Sequence, residues 1–200
     1  MKNIFFTLAL LISFSSFGQT AKEYFNSGYD KAEAKDYYGA ISDYTKAIEI
    51  NPNYAAAYNN RGLFKRRLKD YSGAISDYTK AIEIDPNYAD AYYNRGISKR
   101  RLKDYSGAIS DYTKAIEIDP NYADAYYNRG ISKGNLKDYY GAISDYTKAI
   151  ELNPNYTSAY SNRGISKENL GDLNGACADW KKAAALGHKN STKWVANQCN

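Results

Sequence analysis

The segment Ala89–Tyr122 recurs almost unchanged at Ala55–Tyr88 and again at Ala123–Tyr156. A weaker copy occupies Ala21–Tyr54 and a diverged one Thr157–Asn190. A fixed period of this length restricts the chain to a stacked architecture. One unit of that size cannot bury its own apolar face, so each must cover its neighbour. Nearly the whole chain after the first twenty residues is accounted for in this way.

Within a copy the pattern is helical twice over. In Ala89–Leu102, Tyr92, Gly96 and Lys99 fall at helical spacing. Lys103-Asp104-Tyr105 reads as a turn, with Ser106 placed to cap a second helix. That helix carries Ala108, Ile109, Tyr112, Ala115, Ile116 and Ile118 as an apolar stripe. Asp119-Pro120-Asn121 ends it, because proline supplies no N–H and biases its predecessor away from helical angles. Each copy is therefore expected to be two antiparallel helices and a short link.

Small residues recur where helices must approach closely. The eighth residue of every copy is glycine (Gly28, Gly62, Gly96, Gly130, Gly164) and the twentieth is alanine (Ala40, Ala74, Ala108, Ala142, Ala176). A glycine inside a helix costs about 1 kcal/mol relative to alanine, so its recurrence implies a packing requirement. With the aromatic fourth residue, the alanine at the twenty-seventh and the proline at the thirty-second, the chain resembles the tetratricopeptide repeat (TPR) family. The resemblance spans Ala21 to about Asn190. It implies an all-α, right-handed superhelical solenoid of about five TPR units, at residues 21–54, 55–88, 89–122, 123–156 and 157–190. Residues 191–200 would form a C-terminal capping helix. It also implies a concave groove lined by the first helix of each pair.

The two ends and the charge narrow the setting. Met1-Lys2-Asn3 is a short positive start, Ile4–Ile12 an almost unbroken apolar run, and Ser16-Phe17-Gly18 offers small residues at a cleavage site. Residues 1–18 thus read as a signal peptide cut near Gly18/Gln19. The run is shorter than the roughly 20 residues a membrane span needs, so the mature chain is expected to be exported, periplasmic or secreted, without a span. Lys and Arg (27) are interspersed with Asp and Glu (22), and a net charge of +5 does not make the face of a general nucleic-acid binder.

One departure from the family pattern concerns charge. The seventh residue, usually apolar in TPR units, is Arg61, Arg95, Arg129 or Arg163, with Ser27 in the first copy. The twenty-third is always aspartate: Asp43, Asp77, Asp111, Asp145 and Asp179. A buried arginine needs a partner, and the copy without arginine is the one without a predecessor. The expectation is pairing between copies: Arg61 with Asp43, Arg95 with Asp77, Arg129 with Asp111 and Arg163 with Asp145. Solvated arginines stretched over apolar surface are the alternative. In that register, facing positions of adjacent helices sum to about thirty. Ser191–Cys199 continues the phase, and Cys177 and Cys199 meet by the same sum. A disulfide closing such a loop contributes about 3 kcal/mol in the chain-entropy model; two free thiols are the alternative. His188 is the sole histidine and reads as a cap residue, so no metal site is expected.

In family architecture the second, fifth, ninth, twelfth and thirteenth residues line the groove. On that map Leu63, Ile97 and Ile131 form an apolar floor, flanked by Asn59, Tyr93 and Tyr127, with Arg66, Arg67, Arg100 and Arg101 as a basic rim. Most differences between the second, third and fourth copies fall at these positions, a picture that drift after duplication produces equally well. The other tyrosine slots are read as core. A known subset of the family clamps a C-terminal carboxylate; the matching sites here hold Phe25, Tyr29, Asn60, Asp90 and Asn94, of which only Asn60 agrees. No P-loop, dinucleotide turn or nucleophile elbow occurs, and no cofactor is implied. The sequence therefore points to a non-catalytic scaffold binding a protein or peptide. A self-associating envelope protein and a binder of anionic polymer are the alternatives.

Overall fold

The computed structural model describes residues 19–199. The signal-peptide reading of residues 1–18 lies outside the described residues. Eleven α-helices follow one another without a strand among the described residues. They are α1 (Ala21–Glu33), α2 (Tyr37–Ile50), α3 (Ala55–Arg67), α4 (Tyr71–Ile84), α5 (Ala89–Arg101), α6 (Tyr105–Ile118), α7 (Ala123–Asn135), α8 (Tyr139–Leu152), α9 (Thr157–Asn169), α10 (Leu173–Ala185) and α11 (Lys189–Gln198). Each helix packs on the next in the chain. The odd-numbered helices also meet across copies, α3 with α5, α5 with α7 and α7 with α9, which places them on the inner side of the stack.

The helix ends show how the sequence sets this geometry. Thr20 and Glu23 form a reciprocal capping box at the start of α1. The second helix of every copy is capped by aspartate, not by the serine expected at Ser106. Asp36, Asp70, Asp104, Asp138 and Asp172 each accept from the glycine N–H three residues on, at 2.8–2.9 Å. The turn before each cap needs a left-handed residue. Lys35, Lys69, Lys103 and Lys137 supply it with φ of 63–66°, and Gly171 does so in the fifth copy. Nothing in a lysine announces that conformation, so the sequence does not reveal it. A side chain there costs about 1 kcal/mol or more. Lys103→Gly should therefore stabilise the protein by about 0.5–1 kcal/mol in urea unfolding; a loss of stability would show that the turn is not strained.

The recurrent glycine has a direct cause. A Cβ at Gly28, Gly62, Gly96 or Gly130 would lie 2.7–2.9 Å from a ring carbon of Tyr44, Tyr78, Tyr112 or Tyr146. In the fifth copy Trp180 takes the ring's place against Gly164. These rings are almost fully buried, with the repeated alanines packed around them. Burial pushes the Tyr78 and Tyr112 hydroxyls up to about 12, against the opposing pull of the Arg66 and Arg100 cations. Burial likewise raises Tyr93, Tyr122, Tyr146 and Tyr156. The unfolded chain ionises its tyrosines near pH 10 while the folded one does not. Stability is therefore complete below pH 10 and falls as pH rises from 10 towards 12 and beyond. Tyr78 and Tyr112 should each withdraw about 2 kcal/mol by pH 12. Urea midpoints measured from pH 8 to 12 test this, and a flat profile would contradict the burial of these rings.

The Arg–Asp pairs lie within copies, which corrects the sequence expectation. Arg61 grips Asp77 through Nε (3.0 Å) and Nη2 (2.7 Å), not Asp43. Arg95 holds Asp111 instead of Asp77, Arg129 holds Asp145 instead of Asp111, and Arg163 holds Asp179 instead of Asp145. Antiparallel helices within a pair obey the same positional sum as helices between pairs, so the sum could not choose between them. The remaining Nη1 does reach the preceding copy. It donates to Thr45, Thr79, Thr113 or Thr147 at 3.0–3.1 Å. A lysine one turn along from the arginine (Lys65, Lys99, Lys133, Lys167) completes each aspartate's shell at 2.8–2.9 Å. In the first copy, which has Ser27 in place of the arginine, Ser27 and Lys31 hold Asp43 instead. Burial works against that carboxylate's charge, but the bonds from Lys31 and Ser27 prevail and its pKa is lowered.

Helix α11 closes the far end. His188 caps it by accepting from the Ser191 N–H at 3.2 Å. Trp194 packs on Trp180 with ring centroids 5.3 Å apart, and Cys177 is joined to Cys199 by a disulfide.

Candidate functional site on the inner helices

The inner face is built from odd-numbered helices joined by side-chain rungs. Asn94 donates to the Asn59 amide oxygen at 3.3 Å, Asn128 to the Tyr93 hydroxyl at 3.2 Å, and Asn162 to the Tyr127 hydroxyl at 3.1 Å. Asn59 is consequently buried. Tyr93 and Tyr127 are half-buried. The Tyr93 ring lies 4.8 Å from Tyr122 and 5.9 Å from Tyr112; the Tyr127 ring lies 4.7 Å from Tyr156 and 5.9 Å from Tyr146. These three positions therefore serve the stack as well as facing the groove. Tyr122 and Tyr156 add outer rungs through their hydroxyls to Asp90 and Asp124.

Four arginines on this face behave unlike those at the seventh position. Arg66 and Arg100 are half-buried, Arg67 and Arg101 exposed, and none has a carboxylate within salt-bridge distance among the described residues. The Nε atoms of Arg66 and Arg100 are buried without a hydrogen-bond partner, as are the hydroxyls of Tyr78 and Tyr112 beside them. Arg67 lies over the rings of Tyr37 and Phe64 and donates to the Tyr37 hydroxyl at 3.2 Å. Leu63, Ile97 and Ile131 are half-buried along the same helices.

Two hollows flank the arginines. One, of about 180 Å³, is lined by Tyr29, Ala32, Tyr44, Leu63 and Arg67 among others. The other, of about 330 Å³, is lined by Ile131, Gly134, Tyr146, Asn162, Ile165 and their neighbours. Sequence reasoning named Ile131 for this face and its ninth-residue rule extends to Ile165, but it did not name Asn162 and read the slot of Tyr146 as core. The available signal was the twelfth position, arginine in the second and third copies but Ala32 and Gly134 in the first and fourth. Among the described residues no group of His, Cys, Asp or Glu is placed to hold a metal ion. No described helix is long and apolar enough to cross a membrane.

Family models described as tetratricopeptide repeat match residues 24–54, 43–76, 89–122, 123–156 and 145–178, and one described as TPR repeat matches residues 65–102. The chain belongs to the tetratricopeptide repeat family. Its helix pairs form a right-handed TPR solenoid like those of solved relatives. The crystal structure of MamA protein is similar at a TM-score of 0.78 and 28% identity, covering 86% of this chain and 94% of that one. A MamA fragment from Desulfovibrio magneticus RS-1 gives 0.79 at 22% identity, covering 84% and 96%. YrrB, described as a TPR protein with an unusual peptide-binding site, gives 0.76 at 22% identity, covering 86% and 90%. No curated protein sequence matches the chain significantly. TPR proteins serve as protein-interaction scaffolds, and the fold here supports that role.

Proposed function

We propose that the protein is a non-catalytic scaffold, acting outside the cytoplasm, whose inner groove binds an extended acidic segment of a protein. The observation that carries this reading is the contrast between two sets of arginines. Those at the seventh position are saturated by aspartate, lysine-shared and threonine contacts. Arg66, Arg67, Arg100 and Arg101 sit on the inner helices with no carboxylate of their own. Guanidinium groups pair carboxylates in a fork geometry, so an acidic side chain is the natural complement. YrrB illustrates that a TPR protein can carry a peptide-binding site. Export is supported by the Ile4–Ile12 apolar run and by the Cys177–Cys199 disulfide, which belongs in an oxidising compartment.

Fluorescence anisotropy with short labelled peptides, acidic against neutral, tests the groove. Acidic peptides should bind more tightly at low salt. Replacing all four arginines by glutamine should weaken them by about tenfold or more. Equal binding by the variant would remove the arginines from the site. A steep salt dependence shared with any polyanion would instead favour a polymer-binding protein.

A further inference from the structure

We infer that the hollow over Tyr146 is a subsite for a single tyrosine or tryptophan side chain of the bound acidic segment, opened by the glycine at position 134. The inference rests on the peptide-binding reading of the groove and adds a specificity to it.

In the third copy, the equivalent floor residue is Tyr112 and the equivalent walls are Asn128, Ile131, Ser132 and Asn135. In the fourth copy the floor is Tyr146 and the walls are Asn162, Ile165, Ser166 and Asn169, the same residue types in the same order. The twelfth residue and its neighbour differ: Arg100 and Arg101 in the third copy, Gly134 and Asn135 in the fourth. Where arginine is present its cation lies beside the tyrosine, whose hydroxyl is buried. A Cβ added at Gly134 would meet the Tyr146 hydroxyl at 3.9 Å and Ala142 at 4.0 Å, ordinary contact without a clash, so the slot beside the buried tyrosine is left unfilled by glycine. A hollow of about 330 Å³ lies against Gly134 and Asn135, the two positions that hold Arg100 and Arg101 in the third copy. Ala32, the other small residue at this slot, also stands beside a hollow, of about 180 Å³.

The lining selects the occupant. Ile131, Ile165 and the Tyr146 ring offer apolar walls. Asn135 and Asn169 each spend their amide N–H on a carbonyl one turn back, at 2.8 Å, and Asn162 spends its own on Tyr127. Each amide keeps its oxygen as an acceptor and its second N–H as a donor. Apolar walls edged by such amides suit a flat ring with a polar N–H or O–H at its edge, which is tyrosine or tryptophan. The arginines of the preceding copies would hold the acidic residues beside it.

The test exchanges residues that the fold already accepts. Anisotropy is measured for short labelled acidic peptides carrying one tryptophan, tyrosine, phenylalanine or alanine. The wild-type protein should prefer tryptophan and tyrosine over alanine by about tenfold, with phenylalanine between. Gly134→Arg restores the residue of the second and third copies, so it should fold, checked by circular dichroism, and should abolish that preference. Arg100→Gly should open a second such site over Tyr112. If acidic peptides bind alike whatever ring they carry, and Gly134→Arg changes nothing, the subsite is refuted while the groove reading stands. If a neutral peptide keeps the aromatic preference and charge adds nothing, the arginine reading fails and the subsite stands. If no acidic peptide binds, both fail.

Discussion

Asp111→Ala should lower the unfolding free energy by about 3–5 kcal/mol, the range for removing one partner of a buried charge cluster. The carboxylate is 3% exposed and neutralises two cations, Arg95 at 2.8 Å and Lys99 at 2.9 Å, both largely shielded from water. Its loss strands both against the core of the central copy. Asp43→Ala should cost less, because Lys31 is 40% exposed and can recover its hydration. Since each copy contacts mainly its neighbours, a break in the middle should also divide the cooperative unit and broaden the urea transition. A double-mutant cycle identifies the partner. Arg95 with Asp111 should show a coupling of about 1 kcal/mol or more, and Arg129 with Asp111 almost none. The opposite result would restore the between-copy pairing that the sequence suggested.

The second large effect concerns the far end. Reducing the Cys177–Cys199 bridge, or replacing either residue by serine, should cost about 3 kcal/mol, set by the 22-residue separation it closes. The loss should appear first as faster hydrogen exchange in α11 and α10. The helix should not leave altogether. Trp194 still covers Trp180, which is 1% exposed, and Ser191 is still buried beside Ser161. Titration of the denatured, unreduced protein should find no free thiol; two thiols per chain would show that the bridge does not form in the protein as made.

How much of this was legible in advance differs from feature to feature. The glycine and alanine slots foretold close packing correctly, because a missing side chain is itself a statement about space. The cap at His188 was also readable, since a lone polar residue before a helix has few other uses. The arginines were half read. They do reach the preceding copy, but through a threonine hydroxyl, a residue that looks like ordinary helix surface, and their carboxylate partner lies in their own copy. Lys69 and its equivalents gave no sign of a left-handed turn, because lysine adopts that conformation only where the surrounding helices impose it.

The groove shows the same division. Which positions vary between copies is written in the sequence, and so is the change from Arg100 to Gly134. That this change leaves a hollow against a buried tyrosine is a matter of what lies one helix away. The 34-residue period determined the fold, since a pattern repeated in phase permits one way of stacking. It could not determine which of two equivalent neighbours a charge would choose, because both satisfy the same spacing. Only the packed structure, which seats each arginine on the aspartate of its own copy, decided that.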